Sequence, residues 1–197
     1  MRYIVYVVFG LWVLDIVIIK RIEMIVKKKY SSTVFEKKIQ LFPNISNESY
    51  RYGSAYYYDV EQHVFYIAKK ELYSEIDLMG AYHEICHYVD DCETKLFSVL
   101  MKSKNLLFFI NYPTYCLLNI LEEFSHVDIR IILGCVFGGS ILSIILEVIY
   151  ILIFEIKANM FALKYIENEK YVLVYNMCTI VIHFMKEIFL IFILIIL

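Results

Sequence analysis

Four apolar stretches constrain this chain more than any other feature, because each is long enough to match the hydrocarbon thickness of a bilayer. The first runs over residues 3–19, broken only by Asp15 and followed at once by Lys20 and Arg21. It is too long for the core of a cleaved leader, no small-x-small site follows it, and its basic residues lie after it, so it is expected to stay as an anchor. The second covers 105–121 and is interrupted by Asn111 and Pro113, which predicts a broken span. The third covers 129–154, with Gly134, Gly138 and Gly139 allowing close helix packing. The fourth covers 171–197 and is apolar apart from His183, Lys186 and Glu187. With 60% hydrophobic residues and a mean hydropathy of +0.62, against about half apolar in soluble domains, the expected fold class is a mainly α, multi-pass membrane protein.

The charges orient it. Lys20, Arg21, Lys27, Lys28, Lys29, Lys37 and Lys38 outweigh Arg2 on the other side of the first stretch, which places residues 20–104 in the cytoplasm, with Lys102 and Lys104 at the border. The expected location is the plasma membrane with the polar segment facing the cytoplasm. A net charge of −2 without a basic face excludes nucleic acid as a partner. Asp15 reads first as lying near a helix end or facing another helix without chemical duty, and Glu147 as an intramembrane carboxylate that is functional, snorkels or is satisfied by a partner. A channel or transporter built on these acids and Glu187 has no further support. The five cysteines, with no Cys-x-x-Cys pair, read as reduced and mostly buried.

Within the polar segment, Thr33 to Glu36 reads as a capping box opening a short helix that stops at Pro43. Asn44 to Tyr58 reads as a Tyr-rich surface loop, and His63 to Ile67 as a strand whose edge would face an extended substrate. His63 itself reads first as a strand-end histidine in solvent. Ser74 to Asp77 is a second capping box and starts the next helix.

That helix carries His83-Glu84-Ile85-Cys86-His87, an H-E-x-x-H pattern. At helical spacing the two histidines lie about 40° apart around the axis, so both imidazoles reach one Zn²⁺. Glu84 lies beside them, outside the ligand set but close enough to act as general base on water. Gly80 and Ala81 leave room for a neighbouring backbone. Asp90 and Asp91 stand three and four residues past His87, where a carboxylate either orients a histidine through its second nitrogen or ends the helix in solvent. Directly after the third apolar stretch comes Glu155-Ile156-Lys157-Ala158-Asn159. This spacing offers one carboxylate, a small residue at a helix crossing and a hydrogen-bonding group one turn on, a weak signal by itself.

With both motifs placed, the chain resembles the YugP-type membrane neutral zinc metallopeptidases and, more distantly, the HtpX-like membrane proteases. The resemblance follows the order anchor, capped helix, strand, H-E-x-x-H helix, two spans, E-x-x-A and an apolar end. It implies a small zincin-like (gluzincin-type) catalytic core with a short β element. It also implies Zn²⁺ held by His83, His87 and Glu155, with Glu84 as the catalytic base. The chain departs from the pattern at Cys86, where such motifs carry Gly, and at Asn159, where the HtpX-like enzymes carry Asp. Glu93 is a rival third ligand at metzincin-like spacing, but that geometry needs a glycine turn where this chain has Asp90. Glu155, presented rigidly by a helix leaving the membrane, is preferred.

The chain is therefore expected to form one membrane-integrated metallopeptidase domain over 1–197, with residues 155–170 as the third-ligand helix. Its expected reaction is peptide hydrolysis, on peptides or membrane proteins. The alternative is an inactive membrane scaffold in which zinc only ties helices together.

Overall fold

The computed structural model describes residues 2–29, 34–42, 45–125, 130–167 and 169–196. Thr33, Pro43, Asn44, His126 and Asp128 lie outside them. The protein is mainly helical with a small sheet. Helix α1 (Arg2–Lys29) leads to the short α2 (Phe35–Ile39) and one turn of 3₁₀ helix (Asn47–Ser49). Strands β1 (Tyr50–Gly53), β2 (Tyr57–Asp59) and β3 (Val64–Ala68) follow, then α3 (Glu75–Thr94) and α4 (Leu96–Ser125). Next comes a continuous helical run made of α5 (Arg130–Tyr150), one π-helical turn (Ile151–Glu155) and α6 (Ile156–Leu163), and finally α7 (Glu169–Ile196).

The sheet corrects the reading of Asn44 to Tyr58 as loop. The tyrosines that look like surface decoration are aromatic strand formers that pair with β3. The strand order is β1-β3-β2, with β1 parallel and β2 antiparallel to β3. The strand before the motif helix is thus the centre of the sheet, and it offers no free edge. Tyr57 and Tyr66 stack at 4.4 Å across the β2–β3 pair. His63 is not in the strand. It closes the turn before β3 with a φ of 52°.

Helix α3 starts where its sequence says it must. Ser74 accepts from the Asp77 backbone while Asp77 accepts from the Ser74 N–H, which closes the box. At the other end Lys95, with a φ of 51°, breaks the chain between α3 and α4. Helix α4 is not broken at Pro113; it runs through it. Beside the proline, the Thr114 hydroxyl donates to the Ile110 carbonyl at 2.6 Å, a side-chain bond back to the preceding turn.

Helix α1 packs on α7, α4 on α5, and α3 on α6. The main core lies under the sheet, where Phe35, Phe65, Tyr82, Phe97, Ile151 and Phe154 are buried together. Each such side chain contributes about 2 kcal/mol of transfer free energy before the entropy of ordering is subtracted. The expected glycine seam in α5 narrows to one position. Nothing approaches Gly134 or Gly138, whereas a Cβ on Gly139 would lie 2.8 Å from the Asn111 amide of α4. Gly80 admits the Tyr56 ring, at 3.1 Å from a built Cβ, instead of another backbone.

The isolated acids have partners. Lys104 of α4 is buried, pairs with Glu147 of α5 and lies 4.1 Å from the centre of the Tyr150 ring, so it is not a border residue. Asp15 is buried against α7, where the Cys178 thiol reaches it. Of the described cysteines, all free, Cys86 is buried but Cys92 and Cys135 are exposed, against the expectation of burial. Among the described residues, one stretch, Ile131–Leu163, is long and apolar enough to cross a membrane, and 170–182 forms a shorter apolar helix. That measure does not extend to a multi-pass arrangement.

Candidate metal centre

His83 and His87 stand one turn apart on α3, and the α5–α6 run brings Glu155 against them. His83 Nε2 lies 3.1 Å from one Glu155 oxygen, His87 Nε2 lies 3.4 Å from the other, and the two Nε2 atoms are 3.0 Å apart. One donor atom from each of the three residues makes a triangle whose corners all lie within 4.8 Å of one another. For a tetrahedral ion with bonds of 2.0–2.1 Å, the ligand–ligand edge is about 3.3 Å. The spacing and the donor set, two imidazoles and a carboxylate, therefore fit Zn²⁺, and the three residues together could hold a metal ion.

The expected third-ligand helix, residues 155–170, continues directly from the apolar run and ends at Leu163. Glu155 is the last residue of the π turn. An extra residue in one turn rotates everything beyond it by about 100°. The turn also unites Tyr150 and Glu155, which five residues of ideal α-helix would hold about 140° apart. The Tyr150 phenol lies within electrostatic reach of Glu155, and its ring stacks near His87 with centroids 6.4 Å apart. Tyr150 escaped the sequence reading because α-helical spacing puts it on another face.

Beyond the ligand atoms, the two histidines are held differently. His83 Nδ1 is 2.9 Å from Asn159 Oδ1, so Asn159 fills the place expected of it one turn beyond Glu155. Among the described residues the buried His87 Nδ1 has no hydrogen-bond partner, and the ring is fixed by stacking on Phe97 at 4.6 Å. Neither Asp90 nor Asp91 orients it. Asp90 pairs with Lys157 of α6, and Asp91 accepts from the Tyr58 phenol at 2.7 Å. Glu93 is exposed and outside the triangle. Cys86 is buried between α3 and α6, and burial with the nearby Asp90 carboxylate pushes its thiol up to about 12, which makes it a packing group.

Electrostatics separate the roles. Burial alone would lower the His83 pKa, but the hydrogen bond and charge of Glu155 and the charge of Glu84 outweigh it and raise it to about 9. Glu84 goes the other way from a ligand. Its burial raises its pKa above the ordinary carboxylate value, offset in part by the two histidines. Burial pushes the Asp91 pKa up, but its polar neighbours, among them Ser98, the Tyr58 phenol and His63, outweigh it and hold it below the ordinary value.

A cleft of about 420 Å³ opens onto this centre, a size usual for small-ligand or peptide side-chain sites. His83, Glu84 and Glu155 face it, with Tyr56 and Asp77 on one wall and Tyr175 of α7 on another. His87 lies behind. No family model matches the chain, and neither a curated protein nor a solved structure matches it.

Proposed function

We propose, taking the convergence of His83, His87 and Glu155 as its premise, that the chain is a membrane-bound zinc endopeptidase of the gluzincin type, as the resemblance to the YugP-type enzymes implies. The single observation that carries this reading is the donor triangle, with the imidazole nitrogens 3.0 Å apart and the two Glu155 oxygens 3.1 Å from one of them and 3.4 Å from the other, open on one side to a cleft that also holds Glu84. A structural zinc site is closed by four protein ligands, whereas a catalytic one keeps a position for solvent. Among the described residues no fourth His, Cys, Asp or Glu joins the triangle.

Zinc, when bound, supplies a Lewis acid that polarises a carbonyl and lowers the pKa of water. The chain does the rest. His83, His87 and Glu155 hold the ion, and Asn159 and Phe97 set the imidazole planes. Glu84 takes the proton of the attacking water and returns it to the leaving amine, a role suited to a carboxyl whose pKa burial has raised. The edge strand beside the site is β2, so an extended peptide would lie along Tyr57–Asp59 and not along β3.

The finer membrane reading belongs with this function. Large apolar side chains stand exposed on every long helix around the bundle, among them Leu14 and Val17 of α1, Phe109 and Leu117 of α4, Ile131 of α5 and Met177 of α7. An apolar surface of that extent is a surface for lipid. With it we propose four spans, and the basic residues after the first of them put the site at the cytoplasmic face, where peptides or membrane proteins would be the substrates.

The test is the purified full chain in detergent, assayed for zinc content and for hydrolysis of an internally quenched peptide mixture, beside Glu84→Gln. One zinc per chain in both, with hydrolysis in the parent and none in the variant, is the expected result. Equal hydrolysis in both would remove Glu84 as base. Bound zinc with no hydrolysis in either would leave the scaffold reading.

A further inference from the structure

Glu23 follows the first apolar stretch, and its place on α1 turns it inward. It lies about 40° from Ile19 and about 60° from Val26 around the helix axis, and both of those side chains are buried. The cleft over the candidate metal centre takes in this face. Glu23 lines it from α1, Ile180 from α7, and Ile76 and Met79 from the start of α3. Asp77 and His83 also line it and stand about 9 Å apart along α3 at 1.5 Å per residue. The cleft therefore reaches away from the metal centre by about two or three residues of extended peptide.

Apart from His83, Glu84 and Glu155, the charged side chains lining the cleft among the described residues are Glu23, Lys70 and Asp77. Lys70 and Asp77 are paired with each other. Asp77 also accepts from the Tyr56 phenol at 3.1 Å, the Ser74 hydroxyl at 2.7 Å and the Ser74 N–H at 2.9 Å. Four donors fill the acceptor sites of a carboxylate, so neither member of the pair is open to a ligand. Glu23 is held differently. It accepts from Lys20, three residues earlier on the same helix, at 3.0 Å, with the Lys20 side chain 68% exposed and that of Glu23 23%. Solvent weakens such an exposed pair and takes the lysine back at little cost. The cleft is thus left with one acidic group in excess.

Resting on the zinc-peptidase reading, we propose that Glu23 determines specificity, selecting substrates with a basic side chain, lysine or arginine, within about three residues of the scissile bond. Such a side chain suits both parts of the cleft. Its methylene stem packs on the apolar walls of Ile76, Met79 and Ile180, and its cationic head takes the place of Lys20 on Glu23. An acidic side chain meets the Glu23 carboxylate with Lys70 already paired, and that repulsion rejects it.

The experiment uses the full chain in detergent, loaded with zinc, with Glu23→Gln, Glu23→Asp and Glu23→Lys. The substrates are quenched peptides blocked at both ends and identical except at one position, moved along the sequence, that holds lysine, norleucine or glutamate. In the parent, kcat/KM for lysine at its best position exceeds that for norleucine about tenfold, and the gap narrows in high salt. At unchanged zinc content, Glu23→Gln brings the two within about twofold, Glu23→Asp keeps part of the preference, and Glu23→Lys turns it toward glutamate. The lysine and norleucine peptides, carrying a fluorophore, are also titrated onto zinc-loaded Glu84→Gln with and without Glu23→Gln, and binding is read by anisotropy. Hydrolysis without a lysine preference, or with one that survives in Glu23→Gln, overturns the proposal and leaves the peptidase reading standing. A parent that hydrolyses nothing, while the lysine peptide binds more tightly only when Glu23 is present, overturns the peptidase reading and leaves Glu23 as the cation-selecting group. Equal binding of both peptides to a chain that hydrolyses nothing removes both.

Discussion

Asn159 Oδ1 lies 2.9 Å from His83 Nδ1. A carbonyl oxygen only accepts, so this contact fixes a proton on Nδ1 and turns Nε2 toward His87 and Glu155. The amide of α6 thus sets the tautomer of a ligand on α3. Replacing it by an apolar isostere, Asn159→Leu, is expected to weaken zinc binding about 10- to 100-fold, measured by competition with a chromogenic chelator. Asn159→Asp keeps the acceptor and should bind zinc at least as well as the parent. A leucine variant with the parent's affinity would show that the contact does not orient the ring.

The third ligand is decided by a pair of alanine variants. Glu155→Ala removes one corner of the donor triangle and should bring bound zinc close to zero after dialysis. Glu93→Ala, at an exposed position outside the triangle, should leave zinc content unchanged. The reverse pattern, read by metal analysis of the detergent-purified proteins, would restore the metzincin-like arrangement.

Acid should loosen the start of α3. Burial pushes the Asp77 pKa up, but Lys70, Ser74 and the Ser74 backbone outweigh it and hold it below its ordinary value of 3.8. The group is therefore more acidic folded than unfolded. Its stabilisation is complete above about pH 4 and disappears as pH falls through the folded value. Asp77→Asn should be less stable at neutral pH and show a flatter loss of stability in acid, followed by denaturant unfolding across pH. Ser74→Ala should cost about 1 kcal/mol at neutral pH for the lost cap. An Asp77→Asn curve parallel to the parent's would contradict the linkage.

Lys104 and Glu147 form a buried pair between α4 and α5. Lys104→Met leaves a carboxylate without its cation in an apolar setting and should cost about 3–5 kcal/mol, whereas Lys104→Met with Glu147→Leu should recover most of that loss. Thermal unfolding in detergent gives the comparison. Single and double variants of equal stability would mean that Glu147 finds another partner.

Membrane insertion can be read from two exposed cysteines. Cys92 lies at the end of α3 near the site, and Cys135 lies on the apolar run Ile131–Leu163. In intact membranes opened to the cytoplasmic face, a water-soluble maleimide should modify Cys92 and spare Cys135, and detergent should expose both. Equal labelling of both in intact membranes would take Ile131–Leu163 out of the bilayer.

The parts legible in the sequence are those set by local spacing. His83, Glu84 and His87 share a helix because four residues make about one turn, and Ser74 and Asp77 cap it by a contact three residues long. Asn159 is one turn from Glu155 for the same reason. The strands in Asn44 to Tyr58 were missed because Tyr50 and Tyr57 become strand residues only when β3 pairs with them. A partner strand is not a local property. Pro113 was read as a break because its missing N–H is visible in sequence, whereas the Thr114–Ile110 contact that accompanies the unbroken helix depends on the helix already being there.

By itself the sequence determined which side chains share the candidate site's helix face and where that helix begins, since capping and helical period act over a few residues. Only the tertiary structure decided what meets across the chain: Glu155 with the histidines after a π turn, Asp90 with Lys157 instead of His87, and β3 at the centre of its sheet. Such contacts join residues tens of positions apart. They are chosen by packing and by the need of buried polar groups for partners, and neither is written into any short stretch of sequence.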